Sequence, residues 1–310
     1  MGRLLVAYTE AVNRFTRRAD YVAHSRDGAA EFASDVYASW VLLTYAAYEA
    51  SIQALGKAAV QHLGEFSSSL SDLPDLVREA HIERTVRRAS DALSRNKHGA
   101  SDDPGSVEEI LRGAVGPAWA DESSLLRLDR NAWSDNVKEL LRRVGVGDPE
   151  MEWMRQPFGP STETLESQVD RLVQERNDLA HGDLPTEIRS PELMIDQISA
   201  VQEFVRQSYY CLMMMCASAF PSSLSKELGV VNEAPPVSLA ETTVGYLAIS
   251  TAVRVGDFVP TVSDEGQLRL TRVVSIQCSS ESLEVVEPGR EHVAVTFSRP
   301  MRTARAFECL

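Results

Sequence analysis

Through the first two thirds of the chain, apolar residues return every three or four positions, the spacing that collects them on one side of a helix. In residues 3–25, Leu4, Leu5, Tyr8, Val12, Phe15 and Tyr21 stand among charges, which predicts an amphipathic helix with a polar outer face. Residues 28–63 predict a longer, more apolar helix, and between Asp35 and Lys57 it carries a single charge, Glu49. Further helices are expected at 75–93, 107–115, 134–144 and 190–216, and one from Ser161 or Thr162 as cap to His181. Ser134 reads as the N-cap of its helix and Gly145 as its stop, while Gly182 and Pro185 end the helix that reaches His181. The serine-rich residues 67–74 read as a linker, 96–106 as a loop and 157–160 as a turn.

Beyond Pro236 the period shortens to two. Short strands are expected at 244–250, 258–262, 267–276, 282–286 and 292–297, with Asp264-Glu265-Gly266 as a hairpin turn. The pattern therefore predicts a mainly α-helical bundle over residues 1–233 and a small all-β domain over 234–310. A β-barrel or curled sheet of SH3-like or OB-like size suits the latter.

One helical segment breaks its own pattern. Leu165, Val169 and Leu172 lead at helical spacing to Arg176 and then Leu179, so Arg176 falls on the stripe expected to be buried. A buried guanidinium is costly unless it meets a carboxylate, a phosphate or a wet cleft. Asn177 and His181, four residues apart, share a helix face and can act on one ligand. Glu49 has two readings: an ordinary ion pair or edge residue, or the partner that holds Arg176 across the bundle. Asp178 can accept from His181 or Arg176, or be a solvated helix residue.

Composition narrows the setting. Four cysteines, 211, 216, 278 and 309, have neither CxxC spacing nor neighbouring histidines, so no metal site is expected; Cys211 and Cys216 read as core residues in a reducing cytoplasm. No Gly-rich phosphate loop is present, and no cofactor is expected. Neither the charged N-terminus nor the interrupted apolar run at 36–55 suggests a signal peptide or a membrane span. The formal net charge is -14, and residues 236–310 hold 7 basic against 9 acidic residues, so neither part is basic. This charge argues against a general nucleic-acid-coating surface and does not exclude a narrow cleft. Arg84, Arg87 and Arg88 read as a solvated helix face, and His24, His62, His81 and His98 as surface residues; His292 opens an expected strand.

The run Arg176-Asn177-Asp178-Leu179-Ala180-His181-Gly182 resembles the motif of RiboL-PSP-type (MAE-like) prokaryotic HEPN domains, in which Arg and a polar residue are followed by His after a gap of four to six residues. Tyr45-Ala46-Ala47-Tyr48-Glu49 is similar to the acidic early helix of such domains, and the stretch from Asn131 to Val146 to their middle helix. The resemblance covers roughly residues 1–225. It implies a homodimer whose motif helices face each other across one cleft, and metal-independent cleavage of RNA there. Arg176 would sit on the scissile phosphate, His181 would act as general acid and base, Asn177 would assist, and Glu49 and Asp178 would support them. It also implies a toxin or anti-phage role; the β-domain, which the resemblance leaves unexplained, is expected to serve recognition, dimer contact or regulation, including contact with an antitoxin or other defence partner. Since some HEPN domains only bind nucleotides or RNA, or only dimerise, those two alternatives stand beside it.

Overall fold

The computed structural model describes residues 2–25, 33–97, 107–108, 110–111, 125–126, 131–159, 162–183 and 188–219, then 224–231, 237–239, 242–247, 253–256, 258–263, 268–278, 281–287, 293–297 and 304–309. The remainder of the expected 107–115 helix, the expected hairpin turn at 264–266, His98 and His292 lie outside them.

Helices α1 (Gly2–His24), α2 (Ala33–Phe66), α3 (Asp75–Lys97), α4 (Ser134–Arg143), α5 (Leu165–Ala180) and α6 (Pro191–Ala219) follow in order, with 3-10 turns at Leu70–Asp72 and Pro149–Arg155. Leu4, Ala7, Ala11, Phe15 and Val22 form the buried side of α1. Helix α2 is buried on most of its circumference, from Tyr37 through Tyr48 to Leu63, as its scarcity of charge predicts. Phe204 of α6 takes the edge of Tyr48 at 5.9 Å and of Trp153 at 5.0 Å, and Tyr8 stacks on Tyr209 at 4.3 Å. Aromatic pairs of this kind add about 0.5–1.5 kcal/mol beyond the area they bury.

Two expected caps are corrected. Ser134 is the first residue of α4 rather than its cap; the cap position belongs to Trp133, whose indole cannot accept, and the Asp170 carboxylate of α5 takes the Ser134 amide at 2.7 Å and its hydroxyl at 2.8 Å. For α5 the cap is Thr164, whose hydroxyl accepts from the Ser167 amide at 3.2 Å, two residues beyond Thr162. At the start of α6 the Ser190 hydroxyl accepts from the Leu193 amide at 3.3 Å.

His62 and His81 are also corrected: both are buried, because each lies on the inner side of its helix. Burial lowers the His62 pKa to about 4, so folding holds the neutral ring. Its stabilising contribution is complete above the unfolded value of about 6.5 and is lost as pH falls toward about 4. Urea unfolding should therefore show up to about 3 kcal/mol lost over that interval, a slope that His62→Phe should flatten. Cys211 and Cys216 are buried as expected; burial pushes their thiols up to about 11 and about 12.

The chain divides into two compact units, residues 3–213 and residues 214–310 with the first two residues. In the second unit the strands are β1 (Leu224–Val231), β2 (Val237–Leu239), β3 (Thr242–Leu247), β4 (Val253–Arg254), β5 (Phe258–Ser263), β6 (Leu268–Cys278), β7 (Glu281–Leu283), β8 (Val285–Val286), β9 (Val293–Phe297) and β10 (Ala304–Cys309). The main sheet is antiparallel in the order β1-β10-β5-β6-β9-β3-β2, with β7 hairpinned onto β6 and β4 paired separately with β8. It curls enough to bring β1 close to β3, but no ladder joins its two ends among the described residues, so it is a curled sheet rather than a closed barrel. Val273, Ile276, Val293, Val295 and Phe297 supply much of its core, with alternate residues of β9 facing inward. Strand β1 lies before the expected start of this region at 234, and pairs with β10 from the far end of the chain.

Candidate functional site

The site is built on α5. Leu165, Val169, Leu172 and Val173 are buried, and Arg176 continues their stripe into a half-buried position. Its guanidinium lies over the ring of Tyr45 on α2, 4.9 Å from the centroid, and Nη1 donates to Asn177 Oδ1 at 3.1 Å. A cation on an aromatic face is worth roughly 0.5–2 kcal/mol, which offsets part of the cost of withdrawing the charge from water.

Arg176 does not pair directly with Glu49 among the described residues; Tyr45 stands between them. The Tyr45 hydroxyl donates to Glu49 Oε1 at 3.3 Å and accepts from the Ala132 amide at 3.3 Å. Glu49 lies one turn beyond Tyr45 on α2, so the carboxylate meets the phenol end while the guanidinium covers the ring face. Burial raises the Tyr45 pKa, against a lowering by the Ala132 amide, and keeps the phenol a donor.

The residues before α4 complete the shell. Asn131 Nδ2 donates to Asn177 Oδ1 at 2.6 Å, and Asn136 Nδ2 fastens the Asn131 carbonyl at 2.7 Å. A guanidinium can only donate, so the Asn177 atom facing both Arg176 and Asn131 must be its oxygen. The Asn177 amide nitrogen consequently keeps both N–H groups without an acceptor among the described residues. The three stretches around Tyr45, Asn131 and Arg176 thus converge on one place.

His181 is the C-cap of α5 and is exposed, and its ring makes no hydrogen bond among the described residues. Its own amide donates to the Asn177 and Asp178 carbonyls at 3.0 and 3.1 Å. Gly182 follows at φ 86, donating to the Leu179 carbonyl at 3.1 Å, and Asp183 to that of Asp178 at 3.0 Å. This is a Schellman closure, and the sequence Ala-His-Gly is what it requires. A Cβ at Gly182 would meet nothing within 4 Å, so the demand is purely conformational. Gly182→Ala should cost about 1 kcal/mol in thermal or urea unfolding, and Gly182→Asn less.

Asp178 accepts from Gln174 within its own helix, through Oδ1 at 2.6 Å, and pairs with neither Arg176 nor His181 among the described residues. Two residues escape the sequence pattern. Asp170 fastens α4 and its preceding loop, and Glu175 accepts from Tyr37 at 3.3 Å while forming an ion pair with Arg189. A carboxylate on the flank of an apolar helix stripe is the available signal for both.

Among the described residues no three His, Cys, Asp or Glu side chains gather as a metal cage, and no helix is long and apolar enough to cross a membrane. The model of the RiboL-PSP-HEPN family matches residues 13–213, well over half of the chain and all of α2 to α5. No curated protein matches closely enough to count as a relative.

Proposed function

The chain belongs to the RiboL-PSP-HEPN family, and from that premise we propose that it is a metal-independent endoribonuclease of a toxin or anti-phage system, acting in the cytoplasm as a homodimer. The observation that carries this reading is the placement of unspent donors. Arg176 and Asn177 are locked by Tyr45 and Asn131, yet both keep N–H groups without an acceptor among the described residues, one helical turn from an exposed His181 ring.

The chemistry follows from those groups. The 2′-hydroxyl of RNA attacks the adjacent phosphorus, the 5′-oxygen leaves, and a 2′,3′-cyclic phosphate remains. Arg176 holds the phosphate oxygens as negative charge grows on them, and the Asn177 amide donates to the same group. A histidine removes the 2′ proton and another delivers one to the leaving oxygen, roles that two copies of His181 fill when motif helices face each other. The β-domain is the place for an antitoxin or other defence partner.

Purified protein should cleave RNA in EDTA and leave 2′,3′-cyclic phosphate ends, and His181→Ala should lower the rate about 10²–10⁴-fold while staying folded. Cleavage by His181→Ala at the wild-type rate would overturn the assignment. A wild type that binds RNA or nucleotide without turnover would instead establish the binding-module reading.

A further inference from the structure

Helix α5 carries a second polar face. Gln168, Arg171 and Glu175 recur at spacings of three and four, on the flank of the apolar stripe away from Asn177 and His181. This face opens on a cleft of about 560 Å³ lined by Phe158, Arg171, Arg189, Leu193, Asp196 and Gln197, among others. That volume lies within the range of about 300–1,000 Å³ common for small-molecule sites.

The polar groups of the cleft are specific in what they lack. Arg189 Nη1 donates to Gln197 Oε1 at 2.6 Å, which fixes the amide and leaves Gln197 Nε2 as a donor. Gln197 is only 2% exposed, and its Nε2 and Arg171 Nε are buried without an acceptor among the described residues. Arg171 has the Glu163 carboxylate beside it, so the Gln197 amide is the donor of this cleft that calls for an acceptor atom from elsewhere. Charge disfavours phosphate as its source: Arg171 is paired with Glu163 at 2.5 Å and Arg189 with Glu175, while Asp196 has no ion-pair partner among the described residues. The remaining charge is therefore negative, and it asks for N–H donors.

We infer that this cleft binds a guanine base. Guanine is flat and neutral, with adjacent acceptors O6 and N7 for the arginine and glutamine donors, and N1–H and N2–H₂ for a carboxylate. Phe158 and Leu193 supply apolar walls for its faces. Adenine offers a single amino donor and no carbonyl. The base can arrive as a free nucleoside or within single-stranded RNA; the second source rests on the ribonuclease reading, the first does not.

Calorimetric titration of the full chain with guanosine, adenosine and guanosine monophosphate tests this. Guanosine should bind at least about tenfold more tightly than adenosine, and the monophosphate no more tightly than guanosine. Asp196→Asn, at an exposed position, and Gln197→Met, with its fold checked by thermal melting, should each weaken guanosine at least about tenfold. Absence of saturable guanosine binding in the millimolar range, equal affinity for adenosine, or an unchanged affinity in Asp196→Asn would overturn the assignment. An oligouridine carrying one guanine separates the sources: tighter binding than guanosine, lost on exchange of guanine for adenine, identifies RNA, and equal or weaker binding identifies the nucleoside. His181→Ala should retain guanosine affinity, so a chain that binds guanosine but cleaves no RNA would leave this site standing and remove only the ribonuclease reading.

Discussion

Arg176→Ala is expected to abolish RNA cleavage, by about 10²–10³-fold or more, with little change in thermal stability. The side chain is half-buried, and what it leaves behind is mild: the Tyr45 ring face becomes free and Asn177 Oδ1 keeps its bond from Asn131. Arg176→Lys should restore little, because an ammonium cannot span two phosphate oxygens while resting on an aromatic ring. Tyr45 provides the control for geometry. Tyr45→Phe keeps the ring beneath the guanidinium and should retain most of the rate, although the Ala132 amide and Glu49 lose their shared partner. Tyr45→Leu removes the ring and should lower kcat more than it raises KM, since the guanidinium is then present but unaimed. Single-turnover cleavage and melting curves on the four variants check this, and a Tyr45→Leu protein as fast as wild type would remove the tyrosine from any positioning role.

Asp170→Ala is expected to have the largest effect on stability, about 2–3 kcal/mol in urea unfolding. One carboxylate serves both the amide and the hydroxyl of Ser134, at the start of a helix that has no capping side chain of its own. Ser134→Ala removes only the hydroxyl bond and should cost about 1 kcal/mol. The pair should be non-additive in a double-mutant cycle, because the Ser134→Ala variant leaves the carboxylate with one bond to lose. A cleavage defect should accompany Asp170→Ala, since the same contact holds the chain that carries Asn131 against Asn177. Equal stability of Asp170→Ala and wild type would show that α4 is held by its apolar side alone.

Most helices are legible because their apolar periodicity is long and regular. Helix α2 is the clearest case, nearly free of charge and buried on most sides. The strands of the second unit are legible where they alternate, as in β5, β6 and β9. The outermost ones are not: β1 reads Leu-Ser-Lys-Glu-Leu-Gly-Val-Val, and its identity as a strand comes from pairing with β10 at the far end of the chain. Cap positions shift from their expected places for a similar reason, since the carboxylate that closes the start of α4 belongs to another helix.

At the candidate site, the sequence by itself determined that Arg176 falls on a stripe that packs inward, that Asn177 and His181 share a helix face, and that a glycine must follow the histidine. These are consequences of helical period and of backbone conformation, both local. Tertiary structure alone decided what Arg176 meets. Glu49, the partner that one of its two readings gave Arg176, meets the Tyr45 hydroxyl while Arg176 covers the Tyr45 ring, and Asn131 engages the Asn177 oxygen. Residues 45, 131 and 176 are far apart in the chain, and no periodicity relates them. Only the packing of α2 against α5, with the approach to α4 laid over both, sets which polar atoms are satisfied and which are left to meet a ligand.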